Sequence, residues 1–402
     1  MTIFQPADIL LPREEALEKW AVIACDQFSS EPAYWAETER IVGGAPSALR
    51  MVLPEAALGD NDAGAVAAIH ENMRNSLESG LFREYKNAFV YVERTLADGS
   101  IRSGVVGMLD LEAYDYAPDA QTPVRATEET VAERIPPRMH IRQGAALELP
   151  HVLLLCDDPE DLVIGLLARQ KAAFPKLYDF ELMQGGGHIA GWLLEGVVAR
   201  KLRERLDAYA TGRELVFAVG DGNHSLATAK ACWEKYKREH PGVGLSAHPA
   251  RYALVELENL RSPAQKWEAI HRLITGCDAS ALIEQAKRTL DRPEGAPVVC
   301  LAGGQECVLR LGGSDGLMPI ARLQRFLDAY LAGHAGSIDY IHGEDALRAL
   351  AAGENRVGFL LPAMEKETLF PGIAAGGVLP RKTFSIGSAR EKRYYLEARR
   401  IG

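Results

Sequence analysis

The sequence holds no run close to the roughly 18 consecutive apolar residues that a membrane-spanning helix needs. Its richest stretches, residues 151–156 and 357–361, are short enough to be buried strands. The first eleven residues have neither the basic start nor the apolar centre of a signal peptide. Six cysteines stand scattered at positions 25, 156, 232, 277, 300 and 307 with no C-x-x-C spacing. Reduced thiols are therefore expected, with Cys156 and Cys300 acting as small core hydrophobes. No internal repeat and no low-complexity linker is present. Positive charge is in deficit too: 45 Lys and Arg against 55 Asp and Glu leave a net charge of −10. Such a chain is a poor match for the polyanionic surfaces of nucleic acid or anionic lipid. A cytoplasmic protein with a small-molecule partner, and neither a nucleic-acid nor a membrane partner, is the expectation.

What is present suits a globular chain. The 402 residues are 47% hydrophobic, with 37 Gly and 21 Pro, enough apolar material for a large core in two or three domains or two lobes. Apolar spacing predicts a helix over 62–80, starting at Asp62 and stopping at a glycine. β-rich runs at 88–95 and 101–111 flank Asp98-Gly99, a hairpin signal. Helices are expected over 159–171 and 192–209, a strand over 215–219 and a helix over 225–236. After the polar, Pro-containing stretch 237–249, strands are expected at 251–257, 356–361 and 393–398. A hairpin around Gly303-Gly304 and helices over 319–331 and 344–352 complete the list. The polar stretch divides an N-terminal lobe, 1–240, from a C-terminal α/β lobe, 241–402. Interleaved helices and strands with hairpins predict an α+β fold of mixed sheets with flanking helices.

The sharpest chemical signal is Val219-Gly-Asp-Gly-Asn-His-Ser225 between the strand and the helix. Gly220 and Gly222 allow a tight turn and close approach to a ligand, and the helix start offers N–H groups to an anion. Asp221, Asn223, His224 and Ser225 add an acid, an amide, an imidazole and a hydroxyl. A plain capped turn uses the same residue types. The second signal is Gln184-Gly-Gly-Gly-His188: Gly186 and Gly187 imply either backbone against a ligand or a connector. The third is Thr127-Glu-Glu-Thr130 with Glu133, Arg134, Arg138 and Arg142. It joins carboxylates to cationic forks suited to phosphate, or forms a solvated loop of surface ion pairs. Pro136-Pro137 is expected to forbid a helix through this segment. A basic turn, Arg381-Lys382, lies near the C-terminus.

Together these segments resemble the bacterial and archaeal domain-of-unknown-function family 1015. The likeness is carried by Ala24-Cys-Asp-Gln-Phe-Ser-Ser-Glu-Pro-Ala-Tyr-Trp35, residues 126–138, Leu149-Pro-His151, Leu177-Tyr-Asp-Phe180 and residues 183–188. It continues in the Gly-Asp-Gly-Asn-His-Ser loop, Ile270-His-Arg272, Ile338-Asp-Tyr-Ile-His-Gly343 and Leu379-Pro-Arg-Lys-Thr383. The loop is also similar, more distantly, to the G-x-H-R-x-x-A phosphate loop of the ParB/sulfiredoxin superfamily, which includes free serine kinases. That similarity implies a ParB/sulfiredoxin-like nucleotide-site portion and a loop aspartate, Asp221, acting with a separate glutamate. Two departures stand out: Asn223 replaces a histidine, and Ser225 replaces an arginine able to grip phosphate. In the family's His-Glu-x-Thr motif, Thr127 replaces the histidine, while Glu128 and Thr130 keep the glutamate and threonine.

The leading expectation is a small-molecule kinase, with free serine as a candidate acceptor, using Mg2+ and ATP or ADP. Asp221, His224 and Glu128 are its catalytic candidates. Gly220, Gly222, Asn223, Ser225, Arg138, Arg142, Gly186, Gly187, Arg381 and Lys382 are its nucleotide-binding candidates. Asp221 and His188 are the metal-ligand candidates. Two alternatives use the same residues: a metal-dependent phosphoester hydrolase, and a non-catalytic nucleotide or metabolite sensor.

Overall fold

Two strands with long buried runs, Phe82–Thr95 and Ile101–Asp110, form a hairpin about Asp98-Gly99. Gly99 takes a left-handed φ of +81°, and the Asp98 carboxylate accepts the Ser100 N–H at 3.0 Å. The computed structural model describes residues 2–13, 17–57, 63–312 and 318–402. The chain forms two units. The larger takes Met1–Ala126, Thr130–Gln265 and Gly387–Gly402; the smaller takes Thr127–Glu129 and Lys266–Ile386.

The larger unit is built on a mixed sheet. Its strands are β1 (Ala7–Pro12), β2 (Phe82–Thr95), β3 (Ile101–Asp110), β4 (Tyr114–Asp115), β5 (Val124–Ala126), β6 (Leu153–Cys156), β7 (Lys176–Glu181), β8 (His188–Leu194), β9 (Phe217–Asp221) and β10 (Tyr252–Asn259). The order is β7-β8-β2-β3-β10-β6-β9-β5-β4, with Phe4–Gln5 on β3 and β1 on β2. The β10–β6, β9–β5 and β5–β4 pairs are parallel, and the others along this path are antiparallel. Its longer helices are α1 (Pro32–Val42), α2 (Ala63–Glu78), α3 (Ile135–Arg142), α4 (Gly196–Ala210) and α5 (Asn223–Glu239). Two apolar clusters fill it, one around Trp20, Val90 and Tyr394, the other around Phe89, Leu154, Phe217 and Trp233.

The smaller unit holds an antiparallel sheet of β11 (Trp267–Thr275), β12 (Asp291–Ala302), β13 (Gln305–Leu311), β14 (Ser337–His342), β15 (Arg356–Leu360) and β16 (Phe384–Ile386). Its order is β13-β12-β15-β11-β14, with β16 on β11. Helices α6 (Ala279–Leu290), α7 (Pro319–Leu331) and α8 (Glu344–Ala351) belong to it, α6 and α7 burying their apolar faces in a core around Leu323, Leu327 and Phe359. The mixture of helices and hairpin-bearing sheets is the α+β class expected.

Several local readings differ. The helix of 62–80 runs over Ala63–Glu78; Asp62 lies outside the described residues. Trp192–Leu194 end a buried strand, not a helix, and α4 starts only at Gly196: an apolar run fits either state until its neighbours decide. Pro136 and Pro137 do not forbid a helix. They lie in the first turn of α3, where a missing N–H leaves no bond unmade. The stretch 237–249 is not the divide, because β10 beyond it pairs with β3 and β6 inside the larger unit. The strand expected over 393–398 is two short pairings instead, Tyr394–Tyr395 on Val22–Ile23 and Arg399–Arg400 on Leu147–Glu148.

Buried charge holds that last segment. Arg393 donates to both Glu256 and Glu397, and the Tyr178 hydroxyl donates to Glu397 at 2.5 Å. Arg94 donates to the carbonyls of Gly186, Arg390 and Lys392. Beside them Glu258 meets Arg102 at 3.0 Å and accepts from the Gln265 amide. Burial outweighs Arg102 and pushes the Glu258 carboxyl up to about 7.

Two outcomes follow. Arg393→Leu strands two buried carboxylates and should cost about 3–5 kcal/mol in denaturant unfolding; a loss under 1 kcal/mol would contradict this account. Folded protein keeps the Glu258 proton where the unfolded chain has lost it, so this group's contribution to stability falls as pH rises from about 4.5 to about 7. Glu258→Gln should flatten that part of the profile of melting temperature against pH, and an unchanged slope would refute the assignment.

Candidate functional site

Three fully buried residues, Phe217, Ala218 and Val219, carry β9 into the core between β6 and β5. The register against β6 shifts between Val219 and Asp221, and the chain then turns through Gly222 at φ +77°. A Cβ there would sit 3.0 Å from the Val152 Cα, so both conformation and space demand glycine. Asn223 opens α5, whose N-cap, Gly222, has no side chain of its own to cap it. Leu226 donates its N–H back to the Gly222 carbonyl at 3.0 Å.

Asp221 stands at the head of this helix, partly exposed. Its Oδ1 accepts the Gly222 N–H at 2.9 Å, and its Oδ2 lies 3.3 Å from the Lys392 Nζ. His224 Nε2 accepts the Val131 N–H at 3.2 Å, which places the ring proton on Nδ1. Near Val131, the Thr130 hydroxyl is buried without a hydrogen-bond partner. Gly220 ends the buried run of β9, and Ser225 lies half-buried in the first turn of α5.

A second acid group stands in the same region. His151 packs under the turn, its Cδ2 lying 3.4 Å from where a Gly222 Cβ would be. The Tyr395 hydroxyl accepts the Cys25 N–H at 3.1 Å and lies 2.8 Å from His151 Nδ1. The other ring nitrogen is 3.9 Å from Asp26 Oδ2. Burial opposes ionisation of Asp26, but His151, the Gln27 amide and the Lys392 ammonium together hold its carboxyl below the usual range. Burial also pushes the Cys25 thiol up to about 11, which makes it a poor nucleophile at neutral pH.

The other sequence candidates divide sharply. Arg138 pairs with Glu55. Arg142 donates to buried Glu148 at 2.6 Å, a carboxylate that Arg399 also holds. Gly186 and Gly187 serve packing: a Cβ on the first would strike the Tyr394 ring, and on the second the Thr95 carbonyl. His188 does not reach Asp221. It opens β8, its ring meets Asp179 at 2.7 Å, and four strands lie between β8 and β9 in the sheet. The shared metal site expected of His188 and Asp221 is therefore not formed. Among the described residues, no group of three or more His, Cys, Asp or Glu is arranged to hold a metal ion.

Glu128, Arg381 and Lys382 belong to the smaller unit. Glu128 Oε1 accepts the Thr383 N–H at 3.1 Å, and its backbone bridges Leu379. Arg381 donates to the Tyr340 hydroxyl at 2.9 Å. Arg272, fully buried, donates to the Lys382 carbonyl at 2.9 Å. Burial pulls its guanidinium down to about 10, with Tyr340 and Glu128 opposing.

Sequence reasoning missed Asp26, His151 and Lys392. The first two lie in the segments that carry the family resemblance, which was the available signal; Lys392 lies in none of them. Among the described residues, no helix is long and apolar enough to cross a membrane.

Among solved structures, the chain is similar to a free serine kinase in complex with AMP, at 14% identity and TM-score 0.40, covering 73% of this chain and 91% of that one. It is also similar to a C-terminally truncated SbnI from Staphylococcus aureus, at 10% identity and TM-score 0.38, covering 70% and 83%. A conserved hypothetical protein from Pyrococcus furiosus matches at 13% identity and TM-score 0.35, covering 72% and 90%. No curated protein matches the chain in sequence. Residues 5–330, which include Asp26, His151 and the whole turn into α5, match one family throughout, and the chain belongs to it: the family described as Protein of unknown function (DUF1015).

Proposed function

We propose that the head of α5 is an anion cradle for nucleotide phosphates, and that the protein transfers a phosphoryl group from ATP or ADP to the hydroxyl of a small molecule. An amino acid such as serine is the first acceptor to try. The observation that carries this reading is the strand–turn–helix geometry itself, a left-handed Gly222 leading into α5 with the Asp221 carboxylate on the turn. A helix N-terminus suits phosphate oxygens, and His224 stands in the first turn of α5. In the transfer, the bond from the terminal phosphorus to its bridging oxygen breaks, and the electron pair leaves with the shortened nucleotide. The acceptor oxygen bonds to phosphorus, and its proton passes to the Asp221 carboxylate. Such chemistry asks mainly for positioning and charge neutralisation.

Mg2+ fits this donor set in kind, since it takes one or two carboxylates and keeps phosphate oxygens and waters as its other ligands. Asp221 would hold it, and when bound it supplies charge neutralisation at the phosphates. Glu128 lies in the smaller unit and takes no part in this reading.

Titration calorimetry with ATP, ADP and GTP in Mg2+ tests the cradle. Binding of at least one nucleotide is expected, and none binding to folded protein would defeat the proposal. Once an acceptor is found, Asp221→Asn should lower turnover by about 10²–10⁴-fold. Equal turnover in the two proteins would remove Asp221 from the chemistry.

A further inference from the structure

In the smaller unit, β12 and β13 join through Gly303-Gly304, both in left-handed conformation at φ +54° and +76°. A two-residue turn of this kind fixes the register of the hairpin. That register sets Cys300 of β12 directly opposite Cys307 of β13. Opposed residues of an antiparallel pair share a face and hold their Cα atoms about 4.5–5.5 Å apart, inside the range that a disulfide spans. We propose that Cys300 and Cys307 are an oxidation site, a dithiol that a two-electron oxidant of the peroxide class converts into a cross-strand disulfide. The site lies away from the α5 head and does not depend on the phosphate reading.

The surroundings give the two sulfurs different roles. Both side chains face the same apolar core, Cys300 inside it and Cys307 packed against it. Burial pushes the Cys300 thiol up to about 12, and the neighbouring Cys307 thiol, within hydrogen-bond reach, adds to the rise. Cys307 is half-buried on the strand that ends the sheet order, so an oxidant reaches it first. Its thiolate is the nucleophile. One peroxide oxygen bonds to the Cys307 sulfur, the O–O bond breaks, and the other oxygen leaves as hydroxide and takes up the Cys307 proton as water. The Cys300 sulfur then attacks the Cys307 sulfur. The S–S bond forms, the S–O bond breaks, and the hydroxyl leaves with the Cys300 proton as a second water. Two thiols and one peroxide thus become one disulfide and two waters, the sulfurs oxidised and the peroxide oxygens reduced. Oxidation of Cys307 also removes the thiol that raised Cys300, while Lys287 of α6 continues to favour the Cys300 thiolate.

The test treats the reduced full chain with hydrogen peroxide, blocks the remaining thiols with iodoacetamide, and digests without reductant using a protease that cuts after glutamate. Glu306 separates the two cysteines, so only a disulfide keeps their peptides joined. Mass spectrometry should find the joined peptide, lighter than the sum of its parts by two hydrogens and released by dithiothreitol. Free thiol at 300 and 307 should disappear at one rate, about ten-fold faster than at buried Cys156. Separate peptides, with Cys300 alkylated and Cys307 carried on to a sulfinic or sulfonic acid, overturn the proposal, as does a disulfide through any other cysteine. Wild-type mapping decides the matter without a variant. The order of attack is read from Cys300→Ser, in which Cys307 should hold a sulfenic acid that dimedone traps. Dimedone on Cys300 in Cys307→Ser, with none on Cys307 in Cys300→Ser, would overturn the assigned roles.

Discussion

Arg393 can be buried only because two carboxylates, Glu256 and Glu397, meet it inside the larger unit. Removing a guanidinium from water costs several kcal/mol, which pairing and satisfied hydrogen bonds must offset. The consequence is positional. Glu256 belongs to β10 at the centre of the sheet, Glu397 to the last segment, and Tyr178 of β7, near its edge, adds a hydroxyl. One cation therefore fixes the end of the chain against strands distant in sequence. Arg399 repeats the device with Glu148 and Arg142, so the segment from 391 to 400 has little freedom to shift register.

That fixation explains how a residue close to the C-terminus comes to stand beside a turn at 221–224. β9 and α5 position the acid and the helix start by local means: a buried apolar run, a left-handed glycine with backbone 3.0 Å from its would-be Cβ, and an amphipathic helix. Lys392 and Tyr395 arrive by long-range means, through ion pairs and the short pairing of Tyr394–Tyr395 with Val22–Ile23. The same pairing brings Cys25 and Asp26 alongside, because they directly follow that strand. The candidate site is thus where a locally encoded turn meets two remotely encoded chain ends.

This division sets what the sequence could reveal. The hairpin at Asp98-Gly99, the strand–turn–helix at 217–239 and the helices at 319 and 344 are legible because turn chemistry and periodicity act over a few residues. Trp192–Leu194 are not, since an apolar run reads as helix until β2 and β7 claim it from both sides. Pro136-Pro137 misleads because proline's effect depends on its place in the helix. Asp26, His151 and Lys392 lie 195, 70 and 171 residues from Asp221 respectively, and no local pattern announces that they converge.

The glycines of 185–187 show the same limit from the other side. Three in a row suggest backbone laid against a ligand, yet the bulk that excludes a side chain there is the protein's own: the Tyr394 ring at Gly186 and the Thr95 carbonyl at Gly187. Arg94 donates to the Gly186 carbonyl at 2.6 Å and to the Lys392 carbonyl, so this loop is part of the clamp on the C-terminal segment. A glycine run marks close approach without saying what approaches. Here the close approach holds the chain's last segment, through Arg94 and the Tyr394 ring.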